Sequence, residues 1–159
     1  MAYLLAHDLG TSGNKAVLYT TDGALVGSRT CPYDLLVTHG NWAEQRPQDW
    51  WRAVCESTRE LVAGIDPGQI EAISFSGQMM GAVCLDAAGE PLRNAVIWAD
   101  MRAAEQETAV RQTMDEAAFY RLTGHRISPS YSAFKMKWIK DNEPDVWRRT
   151  AVVDRKSVV

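Results

Sequence analysis

Six residues near the N-terminus combine a carboxylate, two glycines, two hydroxyls and a cation: Asp8, Gly10, Thr11, Ser12, Gly13 and Lys15. Glycine lets a backbone approach a ligand closely, and successive N–H groups in a tight turn can form a nest for an anion. Thr11 and Ser12 add hydroxyl donors and Lys15 adds positive charge, a set that suits phosphate oxygens. Asp8 would repel a bare phosphate unless a divalent cation stood between them. The combination therefore implies a magnesium nucleotide, with Asp8 organising the metal. The same small polar residues also fill hairpin tips for conformational reasons alone. The pattern is neither the strand-to-helix Walker A loop nor the dinucleotide G-x-G-x-x-G.

The elements around this loop follow from hydrophobic spacing and turn residues. Tyr3 to Ala6 predicts a buried strand, Ala16 to Thr20 a second, and "ALVGSRTC" a third after the turn signal "TDG". Three strands joined by tight turns form an antiparallel meander, with residues 9–14 at a hairpin tip. The apolar content of the first strand predicts a central position covered on both faces. In "RPQDWWRAVCESTRELVAG", Pro47 and Asp49 open a helix, apolar residues recur at helical spacing, and Gly64 stops it. "IEAISFSGQ" predicts a buried strand, "GAVCLDAAGEPL" a strand and turn, and "NAVIWAD" a short strand. Beyond Asp100 the spacing turns helical, in segments separated by Gly124, Pro129 and Pro144. The class is α/β: a three-strand meander, a crossover helix, further strands and a helical patch.

At 159 residues, 46% hydrophobic and 23% charged, the chain has about the length of one domain. A net charge of −3 argues against nucleic acid as a partner. No stretch approaches the roughly 18 consecutive apolar residues of a membrane span, and no signal peptide is evident. The expectation is no membrane association and a cytoplasmic location. Cys31, Cys55 and Cys84 lack metal or disulfide spacing and read as reduced, buried thiols. "AVVDRKSVV" begins like a strand and then stops, which predicts an interrupted domain or an ordinary edge strand.

"HDLGTSGNKAVLY", "SFSGQMMGAVCLD" and "VIWADMRA", in this order, resemble the start of an FGGY carbohydrate kinase, and most closely its xylulokinase-like members. The resemblance implies an actin-like, ribonuclease-H-like ATPase fold and transfer of the γ-phosphate of ATP, with Mg²⁺, to a hydroxyl of a small sugar or polyol. It gives Asp8 the catalytic, metal-organising place, Gly10, Thr11, Ser12 and Gly13 the phosphate loop, and Lys15 a phosphate contact. On the sugar side it implies Gln78, Met79, Met80, Trp98, Asp100 and Arg102, with Trp42 and Glu44 as further candidates. A pentulose such as xylulose is favoured, although Met80 stands where xylulokinase-like members often have histidine, which puts that sugar in doubt. Met79, Met80 and Trp98 could equally pack in a core, and Asp100 could cap a helix. His7, His39 and His125 read as structural or surface residues.

The resemblance implies that residues 1–159 form the N-terminal, sugar-binding side of such a kinase, truncated, without the second, nucleotide-binding domain and without the family's catalytic base. The chain alone is then expected to be inactive, and a homodimer is carried over from the family. Two other classes fit part of the pattern: a non-catalytic nucleotide-binding module of the actin-like superfamily, and a self-associating interaction domain.

Overall fold

The computed structural model describes residues 1–154. They form two compact units, the first from Met1–Leu35 and Arg46–Gln78, the second from Leu36–Gln45 and the chain from Met79 onward.

The first unit opens with β1 (Tyr3–Leu9), β2 (Gly13–Thr20) and β3 (Leu25–Pro32). The chain passes through the hairpin β4 (Leu36–Thr38) and β5 (Trp42–Gln45) of the second unit, then returns as α1 (Pro47–Leu61) and β6 (Ile70–Gly77). The sheet order is β3-β2-β1-β6, with the meander antiparallel and β6 parallel to β1. The meander, its hairpin tip and the crossover helix expected from the sequence are all present.

Side chains on this sheet alternate with the period of two that a strand imposes. Leu5, His7 and Leu9 of β1 and Asn14, Ala16 and Leu18 of β2 are buried on one face. Helix α1 lays Trp50, Ala53, Val54 and Ser57 inward at three- and four-residue spacing. Asp49 in its first turn and Arg59 in its last oppose the helix dipole favourably.

Two burial expectations are corrected here. Strand β1 is interior to the sheet but covered on one face only, and Leu4 on the other face is 38% exposed. Strand β6 is an edge rather than a buried strand, with Ile73 and Phe75 exposed, because its second neighbour position is empty among the described residues.

The second unit pairs β5 with β4 and with β8 (Ala95–Val96), and pairs β7 (Val83–Leu85) with β9 (Val152–Asp154). Its helices are α2 (Ala104–Thr113), α3 (Glu116–Thr123), α4 (Ser132–Asn142) and α5 (Pro144–Arg149). Asp115 caps α3, left-handed Gly124 ends it, and Pro144 starts α5. The core gathers Ala82, Cys84, Val96, Ala103, Ile127, Phe134, Trp138 and Ile139. The hairpin β4–β5 is absent from the sequence-based expectations. The predicted strand "NAVIWAD" is ordered as a strand only at Ala95–Val96. The terminal strand is present, while the residues after Asp154 lie outside the described ones.

Cys31 and Cys84 are buried as expected, but Cys55 is only half-buried on α1. Trp50 and Trp138 are core residues, whereas Trp51 is 64% exposed. His39 lies against Trp42 and His125 against Tyr131.

His7 is buried beside Phe75, and its Nδ1 lies 3.1 Å from Asn14 Nδ2. The Asn14 NH₂ group can only donate, so with it in this orientation Nδ1 accepts and the neutral imidazole carries its proton on Nε2, 3.3 Å from Thr58 Oγ1. Burial lowers the imidazole pKa, with the Asn14 hydrogen bond acting in the opposite direction. The unfolded chain therefore binds the proton more readily than the folded one. The stability His7 contributes is full above its ordinary value of about 6.5 and is lost as pH falls below it. Urea denaturation from pH 7.5 to 5 should show this decline, flattened in His7→Gln.

Candidate functional site

The span between β1 and β2 is short. Leu9 pairs with Asn14, and Gly10 N–H donates to Gly13 O at 3.0 Å, leaving Thr11 and Ser12 at the tip. Tyr33, just past β3, approaches from the side: its N–H donates to Ser12 O at 3.3 Å and its hydroxyl to Gly10 O at 2.6 Å. Asp8 and Lys15 are opposite each other in the β1–β2 register, so they share a face, and both are exposed. Asp8 also neighbours Ser76 across the β1–β6 ladder.

The two glycines differ in purpose. Neither takes a positive φ. Gly13 is already in the β2–β3 ladder opposite Pro32, which demands extended backbone. A methyl on Gly13 would stand 2.7 Å from the Cys31 carbonyl oxygen and 3.0 Å from Pro32 Cα, so the sheet itself requires glycine. At Gly10 the nearest atom would be Gly13 O at an ordinary 3.4 Å. No clash in the fold forbids a side chain there.

The donor set fits a magnesium nucleotide better than a protein-only metal cage. No group of three His, Cys, Asp or Glu side chains among the described residues could hold an ion. Mg²⁺ is ordinarily held by one or two carboxylates together with phosphate oxygens and water, a role Asp8 is open enough to fill.

The residues assigned to the sugar divide into open and closed sets. Gln78 ends the first unit, its N–H donating to Leu9 O at 3.1 Å beside the loop. In the second unit Met79 is 59% and Trp98 42% exposed, so neither is spent on a core. Met80 is held at φ 64, a left-handed conformation uncommon for a side-chain-bearing residue. Asp100 and Arg102 are instead buried against each other. Arg102 Nε and Nη2 donate to the Asp100 carboxylate at 2.8–3.0 Å, and that carboxylate also accepts from Ala43 N at 2.6 Å and Arg102 N at 3.0 Å. Asp100 does not cap α2, whose N-cap is Ala103.

Around that pair Arg102 Nη2 reaches Glu44 at 2.8 Å, and Arg93 joins Glu44 to Glu143. The Arg102 guanidinium lies 4.1 Å from the Trp42 ring centre and 4.9 Å from that of Trp138. Trp42, Glu44, Asp100 and Arg102 thus form one buried network bracing the turn that presents Trp98. Lys135 was not among the residues singled out from the sequence. It is fully buried and donates to the Pro129 and Ser130 carbonyls, its pKa pushed down to about 8 by burial while Asp100 acts the other way.

Residues 3–156 match the N-terminal domain of the FGGY family of carbohydrate kinases. The chain belongs to that family. It is 33% identical over 154 residues to the xylulose kinase of Bacillus subtilis (strain 168), covering 96% of this chain and 31% of the relative. It superimposes on the ligand-bound xylulose kinase from Lactobacillus acidophilus with a TM-score of 0.89 at 31% identity, and on the gluconate kinase from the same organism with 0.90 at 31%. Each superposition covers 96% of this chain and 31% of the other. This FGGY chain thus spans about a third of the length of the relatives it matches, and its actin-like kinase fold is the expected one.

Gly13→Ala should lower unfolding free energy by about 1–3 kcal/mol through the backbone clash, while Gly10→Ala should stay within about 0.5 kcal/mol of wild type. Asp100→Ala, which strands the buried Arg102, should cost about 3 kcal/mol. Chemical denaturation of the three variants checks both statements.

Proposed function

We propose that this chain is the sugar-binding, phosphate-receiving part of an ATP-dependent kinase for a small sugar. The observation that carries the reading is the open pair of Asp8 and Lys15 beside a loop in which no clash requires Gly10 to lack a side chain. The family match supports it. Asp8 would hold Mg²⁺ together with nucleotide phosphates, while Lys15 and the donors of Gly10, Thr11, Ser12 and Gly13 would hold the transferred phosphoryl group. When bound, the metal neutralises charge that develops on the phosphate oxygens.

Phosphoryl transfer asks a protein chiefly for positioning and electrostatic stabilisation, and these residues supply both. For the sugar, exposed Trp98 offers an apolar face to C–H groups, and Gln78 offers an amide to hydroxyls. Met79 and Met80 are further candidates for sugar contact, and Asp100 and Arg102 act by holding the Trp98 turn. The relatives named xylulose kinase and gluconate kinase favour a small linear or ketose sugar, a pentulose such as xylulose first. In this reading the general base and the adenosine site belong to a further domain, the chain alone turns over poorly, and the location is cytoplasmic. No helix among the described residues is long and apolar enough to cross a membrane.

Isothermal titration calorimetry of this chain against xylulose, ribulose, gluconate and glycerol, and separately against MgATP, tests the proposal. One sugar should bind, and Asp8→Asn should leave that binding intact while weakening MgATP at least tenfold. Binding of no sugar, or MgATP affinity unchanged by Asp8→Asn, would contradict it.

A further inference from the structure

We infer that Tyr33 is a positioning residue for the phosphate loop, an inference that rests on reading residues 10–13 as the place where phosphate is received. Tyr33 lies 21 residues after Ser12 in the chain, beyond β2 and β3, yet its main chain and side chain bond the loop at two points. The N–H takes Ser12 O and the hydroxyl takes Gly10 O, one on each side of Thr11.

Each bond removes a carbonyl from the approach to the tip. A carbonyl oxygen aimed at an incoming phosphate repels it, whereas one engaged by a donor is turned aside and its peptide plane is fixed. Fixing the planes that follow Gly10 and Ser12 also fixes the direction of the N–H groups of Thr11 and Gly13, because the amide shares its plane with the preceding carbonyl. The loop is thereby preorganised, so less ordering is needed when a ligand arrives.

The hydroxyl is suited to permanent service as a donor. Tyr33 is only 7% exposed, and burial together with the Asp8 charge holds its phenol pKa above the ordinary tyrosine value. The bond is present throughout the physiological range. Phenylalanine would fill the same space without the donor, so the hydroxyl can be tested apart from the ring.

The experiment compares wild type, Tyr33→Phe and Tyr33→Leu by residue-resolved amide hydrogen exchange, thermal unfolding and calorimetric titration with MgATP. Tyr33→Phe should unfold within a few degrees of wild type and keep the exchange rates of Leu5 and Leu18. It should exchange about tenfold faster at Gly10–Ser12 and bind MgATP about tenfold more weakly. Tyr33→Leu should add a loss of stability from the missing ring. Unchanged exchange at Gly10–Ser12 in Tyr33→Phe overturns the inference, as does faster loop exchange with MgATP affinity intact. If wild type binds no MgATP, the phosphate reading of the loop fails, and with it the positioning role, while the exchange data still decide whether the hydroxyl orders the loop.

Discussion

The loop between β1 and β2 keeps its place because the carboxamide of Asn14 is locked behind it. Asn14 is fully buried, its Nδ2 lying 2.9 Å from Ser57 Oγ, 3.1 Å from His7 Nδ1 and 3.4 Å from Ala53 O. Ser57 in turn donates to the α1 backbone, at 2.8 Å to Ala53 O and 3.1 Å to Val54 O. A one-residue slip of β2 would carry Asn14 to the exposed face and strand His7 and Ser57 in the interior. The network therefore fixes the pairing of Leu9 with Asn14, which places Asp8 beside Lys15 and sets the span of the tip.

The charged residues of the two units are used in opposite ways. Asp8 and Lys15 stand on an open sheet face, where water solvates their charge. Asp100 and Arg102 are closed upon each other, and Glu44, Arg93 and Glu143 extend the chain of ion pairs. Such a buried network contributes little net stability relative to an apolar core, but it is costly to break and so holds one geometry. The turn from Ile97 to Arg102 is held by that geometry, with Ile97 N donating to Ala43 O and Met101 N to Asn41 O. Trp98 projects from a rigid base.

Much of this was legible in the sequence wherever a local rule acts alone. "TDG" fixed the β2–β3 turn, Pro47 and the spacing after it marked α1, and Gly124 and Pro144 punctuated the helices. Hairpin β4–β5 was missed because its strands are only three and four residues long, although Gly40 at φ 77 beside His39 at φ 51 marks its turn. The exposure of β6 was misread because an apolar run reports what a strand can bury, not whether a neighbour covers it. The loop's residue types carried the expectation of phosphate chemistry, but its conformation depends on Asn14 and Tyr33, whose roles come from contacts across the fold. The burial and mutual pairing of Asp100 and Arg102 were not legible, since the sequence shows charge and spacing but not burial.

The central claim is that metal and phosphate meet at Asp8 and the β1–β2 loop. Titrating ¹⁵N-labelled chain with MnATP and recording paramagnetic broadening of each amide tests it most directly, since the effect falls off steeply with distance from the ion. The account predicts loss of signal first at Asp8, Gly10, Thr11, Ser12 and Ser76, with Leu25 and Val26, at the far end of the same sheet, unaffected. Broadening centred elsewhere, or evenly weak across the chain, would contradict it.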